Sequence, residues 1–207
     1  QFARQARLAF IARAFLRTLV DAGYYTSENV DTFMQGISTV SSEFNDDFER
    51  FSEGLISREE FNFKYGHLRS GTYDIRSDRY DAMNFRPAPS RIKKDKVKIQ
   101  KDLDISILTQ ALEDTQLDVP AERMAKFWIS AIEQREYFKF EFTKSLSMVL
   151  ELIRKLGSIL EIRTMDLSWL CVDDFKLYES GCDPENLKKL WMKLITKRRR
   201  LNHDSRL

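Results

Sequence analysis

Between Ala121 and Glu161 the chain has no proline and one glycine, Gly157, and its apolar residues fall at helical spacing: Phe127, Ile132, Phe138, Phe142, Leu146, Val149, Leu150, Ile153, Leu156 and Leu160. Such a stretch is one bent helix or two in line. A helical segment of that length demands helical neighbours to cover its apolar side. The full 207 residues hold only four prolines and seven glycines, which favours long helices over many strands and turns. The predicted fold is all-α and bundle-like, with one long helix, a Gly/His/Arg central loop and little or no sheet.

The rest of the chain agrees with that reading. Phe2 to Ala22 carries Phe2, Ala6, Ala9, Phe10, Leu16 and Val20 on one helical face, with Gly23 placed as a C-cap. Thr26 or Ser27, followed by Glu28, opens a second helix with Val30, Phe33, Met34 and Ile37 as its apolar face. A third runs from about Thr39 to Phe51. Ser57 and Glu60 have the spacing of a capping box and open a short helix that runs out at Gly66. The segment from Asp81 to Lys94, with Pro87 and Pro89, reads as an extended connector. Ile105 to Leu117 resumes as a helix, and Pro120 is expected at a helix start, where its missing N–H costs nothing. Thr164 to Trp169 reads as irregular, Val172 to Phe175 as a short helix, and Asp183-Pro184-Glu185 as the start of a last helix reaching about Arg200. The expected organisation is residues 1–80 as N-terminal helices and loop, 81–104 as connector and 105–207 as a C-terminal helical part, all in one domain.

Composition excludes several classes. A formal charge of +2 gives no electrostatic case for nucleic acid or an anionic membrane. Two basic runs, Lys93–Lys98 and Lys197–Arg200, read as a solvated linker and as a helix end that complements the dipole. No apolar run is long enough to span a bilayer, and two cysteines, Cys171 and Cys182, make no disulfide framework, so a reducing, cytoplasmic setting is expected. The chain begins inside a helical pattern, as if cut from something longer.

The residues with most chemical capacity are concentrated in Tyr65-Gly66-His67-Leu68-Arg69-Ser70-Gly71-Thr72-Tyr73-Asp74-Ile75-Arg76-Ser77-Asp78-Arg79-Tyr80. A polar, glycine-punctuated loop between helices is where a site is expected. Imidazole, guanidinium and carboxylate together can orient a small polar or anionic ligand. The same residues can equally form a hydrogen-bonded network that holds the loop onto its helices. Arg135 and Glu136, in the long helix, are either a solvated turn or a contribution to the same site. Trp128, Trp169 and Trp191 are expected in the core or an interface, and His203 in an exposed polar tail. There is no P-loop or dinucleotide glycine motif, no CxxC, no HExxH and no GxSxG.

The run Glu60-Phe61 through Tyr65-Gly66-His67-Leu68-Arg69-Ser70-Gly71-Thr72-Tyr73-Asp74-Ile75 resembles the GHR-x-G-x-x-D-I signature in the middle region of phosphoenolpyruvate-synthase-like phosphotransferases, a group that includes rifampicin phosphotransferases. Arg135-Glu136-Tyr137-Phe138-Lys139-Phe140 resembles the REYxKF stretch that follows in those proteins, and Trp169 to Phe175 resembles their next element. Leu68 stands where the group commonly has Arg, and Ser70-Gly71 replaces Pro-Gly. The resemblance implies the substrate-binding central domain of an ATP-dependent phosphotransferase. Flanking ATP-grasp and phosphohistidine domains of the same protein would be its partners, together with a small-molecule acceptor. The chain itself would hold no cofactor; ATP and Mg²⁺ would be bound by a flanking domain, and the isolated chain would be inactive. By the same resemblance His67, Arg69, Asp74, Arg135 and Glu136 would bind the acceptor, and no residue would bind a metal.

The alternative is a non-enzymatic helical interaction or scaffold module in which the loop is purely structural. A nucleic-acid binder using the two basic runs is a third reading, disfavoured by the near-neutral charge.

Overall fold

A computed structural model describes residues 1–71, 73–83, 103–176 and 183–204. Residues 84–102, which hold most of the expected connector and the Lys93–Lys98 run, lie outside the described residues, as do Gly181 and Cys182. Nine helices occur among those described: α1 (Phe2–Asp21), α2 (Ser27–Gly36), α3 (Val40–Ser52), α4 (Arg58–Tyr65), α5 (Ile105–Asp114), α6 (Ala121–Ile159), α7 (Thr164–Leu167), α8 (Val172–Lys176) and α9 (Pro184–Asp204). No strand is present among them, so the all-α fold is as expected. The long segment is a single 39-residue helix. No described helix is long and apolar enough to cross a membrane.

The caps act as their sequences require. The Ser57 amide donates to Glu60 Oε2 at 2.7 Å and the Glu60 amide donates to Ser57 Oγ at 3.1 Å, completing the capping box of α4. Thr26 and Asn29 do the same for α2, at 3.0 and 3.1 Å. Gly23 follows α1 with φ +82°, a left-handed conformation that closes the helix through the Tyr24 amide and the Leu19 carbonyl at 3.0 Å. Pro120 stands at the start of α6, as expected, its carbonyl accepting from the Arg123 amide at 3.0 Å. Two local expectations are corrected. Thr164–Leu167 forms a helical turn, because tertiary packing of Leu167 overrides weak local signals. The last helix runs past Arg200 to Asp204, which puts His203, still exposed, on the helix.

The packing falls into two compact units, Gln1–Phe61 with Arg86–Phe142, and Asn62–Phe85 with Thr143–Leu207. In the first, α1, α2, α5 and the start of α6 enclose Ala12, Leu16, Phe33, Leu108, Leu112 and Trp128. Burying a side chain such as Leu108, wholly shut from solvent, contributes about 1.5–3 kcal/mol. A satellite of rings joins α3 to α4: Phe51 stacks on Phe61 at 4.9 Å, and Phe44 and Phe48 approach the same ring at 5.8 and 5.9 Å. In the second unit, Leu160, Ile162, Leu167, Leu187, Trp191 and Ile195 form the core, and Ile75 of the central loop is buried among them.

Candidate functional site

The loop after α4 is folded back on itself. The Tyr80 amide donates to the Leu68 carbonyl at 2.9 Å and the Asp81 amide to the Gly66 carbonyl at 3.1 Å, with an antiparallel bridge between Arg69 and Arg79. Gly66 permits this closure. A Cβ there would lie 2.9 Å from Asp81 Cβ and 2.4 Å from the Asn62 carbonyl oxygen. Two turns shape the tip: the Asp74 amide donates to Gly71 O at 2.9 Å and the Ser77 amide to Asp74 O at 3.2 Å.

Arg69 holds the loop on α6. Its side chain is fully enclosed, and its three nitrogens take three different partners. Nη2 meets Glu151 Oε1 at 2.5 Å, Nη1 donates to the Ser77 carbonyl at 2.5 Å, and Nε donates to Ser147 Oγ at 3.3 Å. Glu151 also accepts from Arg154 Nη1 at 3.4 Å, and Arg154 Nη2 reaches Asp78 at 2.9 Å. The loop is therefore clamped from both ends by α6, with the fork of Arg69 matched to three acceptors. His67 is buried at the loop's base, next to Gly66.

The tip forms one wall of a groove of about 680 Å³. Gly71, Tyr73, Asp74 and Arg76 line it from the loop, Leu150 and Ile153 from α6, and Leu167, Trp169, Leu170, Val172 and Phe175 from α7, α8 and the turn between them. That size and apolar lining suit a small organic molecule. Its charged lining residues are Asp74 and Arg76, which chelate one another. Arg76 Nε lies 2.9 Å from Asp74 Oδ1 and 3.1 Å from Oδ2, Nη2 lies 2.8 Å from Oδ2, and the Arg76 amide donates to Oδ1 at 2.9 Å. These bonds from Arg76 hold the Asp74 carboxyl below its ordinary range.

The far wall is fixed by α9. Arg198 Nη1 donates to the Trp169 carbonyl at 2.9 Å, and Nη2 donates to Asp174 Oδ1 at 2.9 Å. Asp174 also accepts the Cys171 amide at 2.7 Å, capping α8. Arg199 pairs with the buried Asp166 of α7, which Arg163 Nε also reaches at 3.1 Å. Half of the basic run Lys197–Arg200 is thus turned inward to two buried aspartates, Asp166 and Asp174.

Of the five residues expected to bind an acceptor, Asp74 lines the groove. His67 and Arg69 lie in the base and clamp of the same loop. Arg135 and Glu136 belong to the first unit, where they pair at 3.1 Å and the Arg135 guanidinium sits 5.6 Å from the centre of the Phe10 ring. Trp128 and Trp191 are core residues, as expected, whereas Trp169 is half-buried in the groove wall. Arg76 lies in the loop expected to form the site but is not among the five residues expected to bind the acceptor, and Trp169 and Phe175 are lining residues that the sequence pattern does not mark. Among the described residues no group of three or more His, Cys, Asp or Glu converges to hold a metal. No protein-family model matches the chain, and neither a curated protein nor a solved structure is significantly similar to it.

Proposed function

We propose that this chain is the acceptor-binding helical region of a cytoplasmic, ATP-dependent phosphotransferase of the phosphoenolpyruvate-synthase type, in which a phosphohistidine on a separate swivelling domain delivers the phosphoryl group. The observation that supports the reading is that the signature-like loop, Gly71 to Arg76, forms a wall of an apolar groove of ligand size. In this reading the groove receives the acceptor, Asp74 and Arg76 meet its polar end, and Arg69 is a positioning residue that acts through Ser77 and Glu151. ATP and Mg²⁺ would be held by a flanking domain.

Expressed from its complete coding sequence and given ATP with a panel of candidate acceptors, the protein should release AMP only with some of them. Leu150→Trp, which fills the groove from α6, should leave the relay histidine phosphorylated and stop onward transfer. Transfer at the unaltered rate in a folded Leu150→Trp variant would overturn the assignment.

One observation favours a helical scaffold instead: Arg69 gives all three of its side-chain nitrogens to the protein itself. Under that reading groove substitutions change nothing measurable, and Arg69 substitutions lower the melting temperature alone.

A further inference from the structure

We infer that Asp74 is a specificity residue that keeps the groove for ligands without negative charge at its rim, a reading that rests on the groove being the ligand site. Three features of the rim carry it. First, Asp74 and Arg76 are the charged residues of the lining, so the rim is electroneutral. Second, one of the two forked edges of the guanidinium, Nε with Nη2, is already closed by Asp74 at 2.9 and 2.8 Å, and a carboxylate or phosphate is left the Nη1–Nη2 edge. A ligand meets Nη1 of Arg76 and an anionic carboxylate beside it. Third, the pair cannot drift apart along the backbone. Ile75 between the two residues is buried in the core of the second unit, and the Arg76 amide is bonded to Asp74 Oδ1.

An incoming anion therefore either displaces the Asp74 carboxylate or takes the Nη1–Nη2 edge with that like charge beside it. A neutral head group can accept from Arg76 Nη1 and donate to Asp74 with the pair intact. Tyr73, Trp169 and Phe175 add aromatic surface to the walls. The chemistry that fits is an uncharged, ring-bearing molecule with a hydroxyl or amide at one end. A small 2-oxo acid or a phosphorylated sugar does not fit.

Two fluorescent probes share one anilinonaphthalene skeleton and differ by a sulfonate: neutral N-phenyl-1-naphthylamine and anionic 8-anilinonaphthalene-1-sulfonate. Titrated into the wild-type chain, the neutral probe should bind more tightly by roughly ten-fold, and Leu150→Trp should weaken it at least as much. Asp74→Asn keeps the acceptor for the Arg76 amide and releases the guanidinium. It should shift the preference toward the sulfonate by roughly ten-fold, and adding Arg76→Gln to it should cancel that shift. Equal binding of both probes to the wild type, an unshifted preference in Asp74→Asn, or binding unaffected by Leu150→Trp would each overturn the inference. Phosphotransfer stopped by Leu150→Trp with no charge preference would sink this inference and leave the proposed function standing. The charge preference without any ATP-dependent transfer would do the reverse.

Discussion

The Arg69 guanidinium and the Glu151 carboxylate meet at 2.5 Å, and the arginine side chain is wholly shut from solvent while the glutamate keeps about a third of its side-chain surface open. The pair is asymmetric: removing the glutamate leaves a charge with nowhere to go, whereas removing the arginine leaves a carboxylate that water can reach. Arg69 also holds the Ser77 carbonyl, so its loss frees the loop as well as the ion pair. Arg69→Met is expected to cost about 2–4 kcal/mol in urea unfolding. Arg69→Lys should recover only part of this, because an ammonium cannot serve three acceptors in a planar fork. Equal stabilities for wild type and Arg69→Met would mean that the clamp contributes nothing.

Asp174 makes the second unit sensitive to acid. Its carboxyl is lowered from 3.8 to about 2, first by the Arg198 hydrogen bond and further by the Cys171 amide. A folded-state value below the unfolded one stabilises the protein above the unfolded pKa, and that contribution is lost as pH falls through the folded value. The window is therefore about pH 4 down to about pH 2, and the contribution at neutral pH is about 1–2 kcal/mol. Asp174→Asn should unfold more easily than wild type above pH 4, with the two melting curves converging toward pH 2. A constant gap across that range would assign the lost stability to packing and not to charge.

The helices were legible because their signals are local. Ser57 with Glu60, Thr26 with the next turn, and apolar residues at helical spacing each act within a few residues, and the structure uses them as written. The site was only half legible. The composition of the loop from Gly66 to Arg79 marked it as special, but the partners of Arg69 lie 78 and 82 residues away, at Ser147 and Glu151, and no local pattern announces them. Lys197–Arg200 misled for the same reason. A basic helix end has a sufficient explanation in the dipole, and only the fold brings Asp166 and Asp174 to Arg199 and Arg198. Asp166, set between the apolar Met165 and Leu167, was the available hint.

Gln116 closes α5 in a left-handed conformation, with φ 56°, while the Leu117 amide reaches back to the Leu112 carbonyl at 2.9 Å. The side chain is exposed and the position has the geometry of a glycine C′ cap. A non-glycine residue there costs about 1–2 kcal/mol, offset by the smaller unfolded-state entropy it brings. Gln116→Gly should stabilise the chain by about 0.5–1 kcal/mol, read as a rise in melting temperature with no change in groove binding. A fall in melting temperature would show that the left-handed conformation carries no strain at this position.

Gly157 opposes the usual ranking of helix formers. It lies inside α6, where alanine would ordinarily gain about 1 kcal/mol. A Cβ at this position would fall 2.4 Å from Leu167 Cδ1 and 3.2 Å from the Ile162 carbonyl oxygen. Leu167 is packed in the core on one side and lines the groove on the other, so it yields only by shifting toward the groove, and the backbone at Ile162 has less room. Overpacking of this kind costs about 1–3 kcal/mol, so Gly157→Ala is expected to destabilise despite its better propensity. Two further readings identify the cause. Leu167→Ala should be less harmful in the Gly157→Ala background than in the wild type, giving a positive coupling in a double-mutant cycle. Neutral-probe binding should weaken in Gly157→Ala, because the groove wall moves with Leu167. Additive effects of the two substitutions would remove the contact between Gly157 and Leu167 as the reason for the glycine.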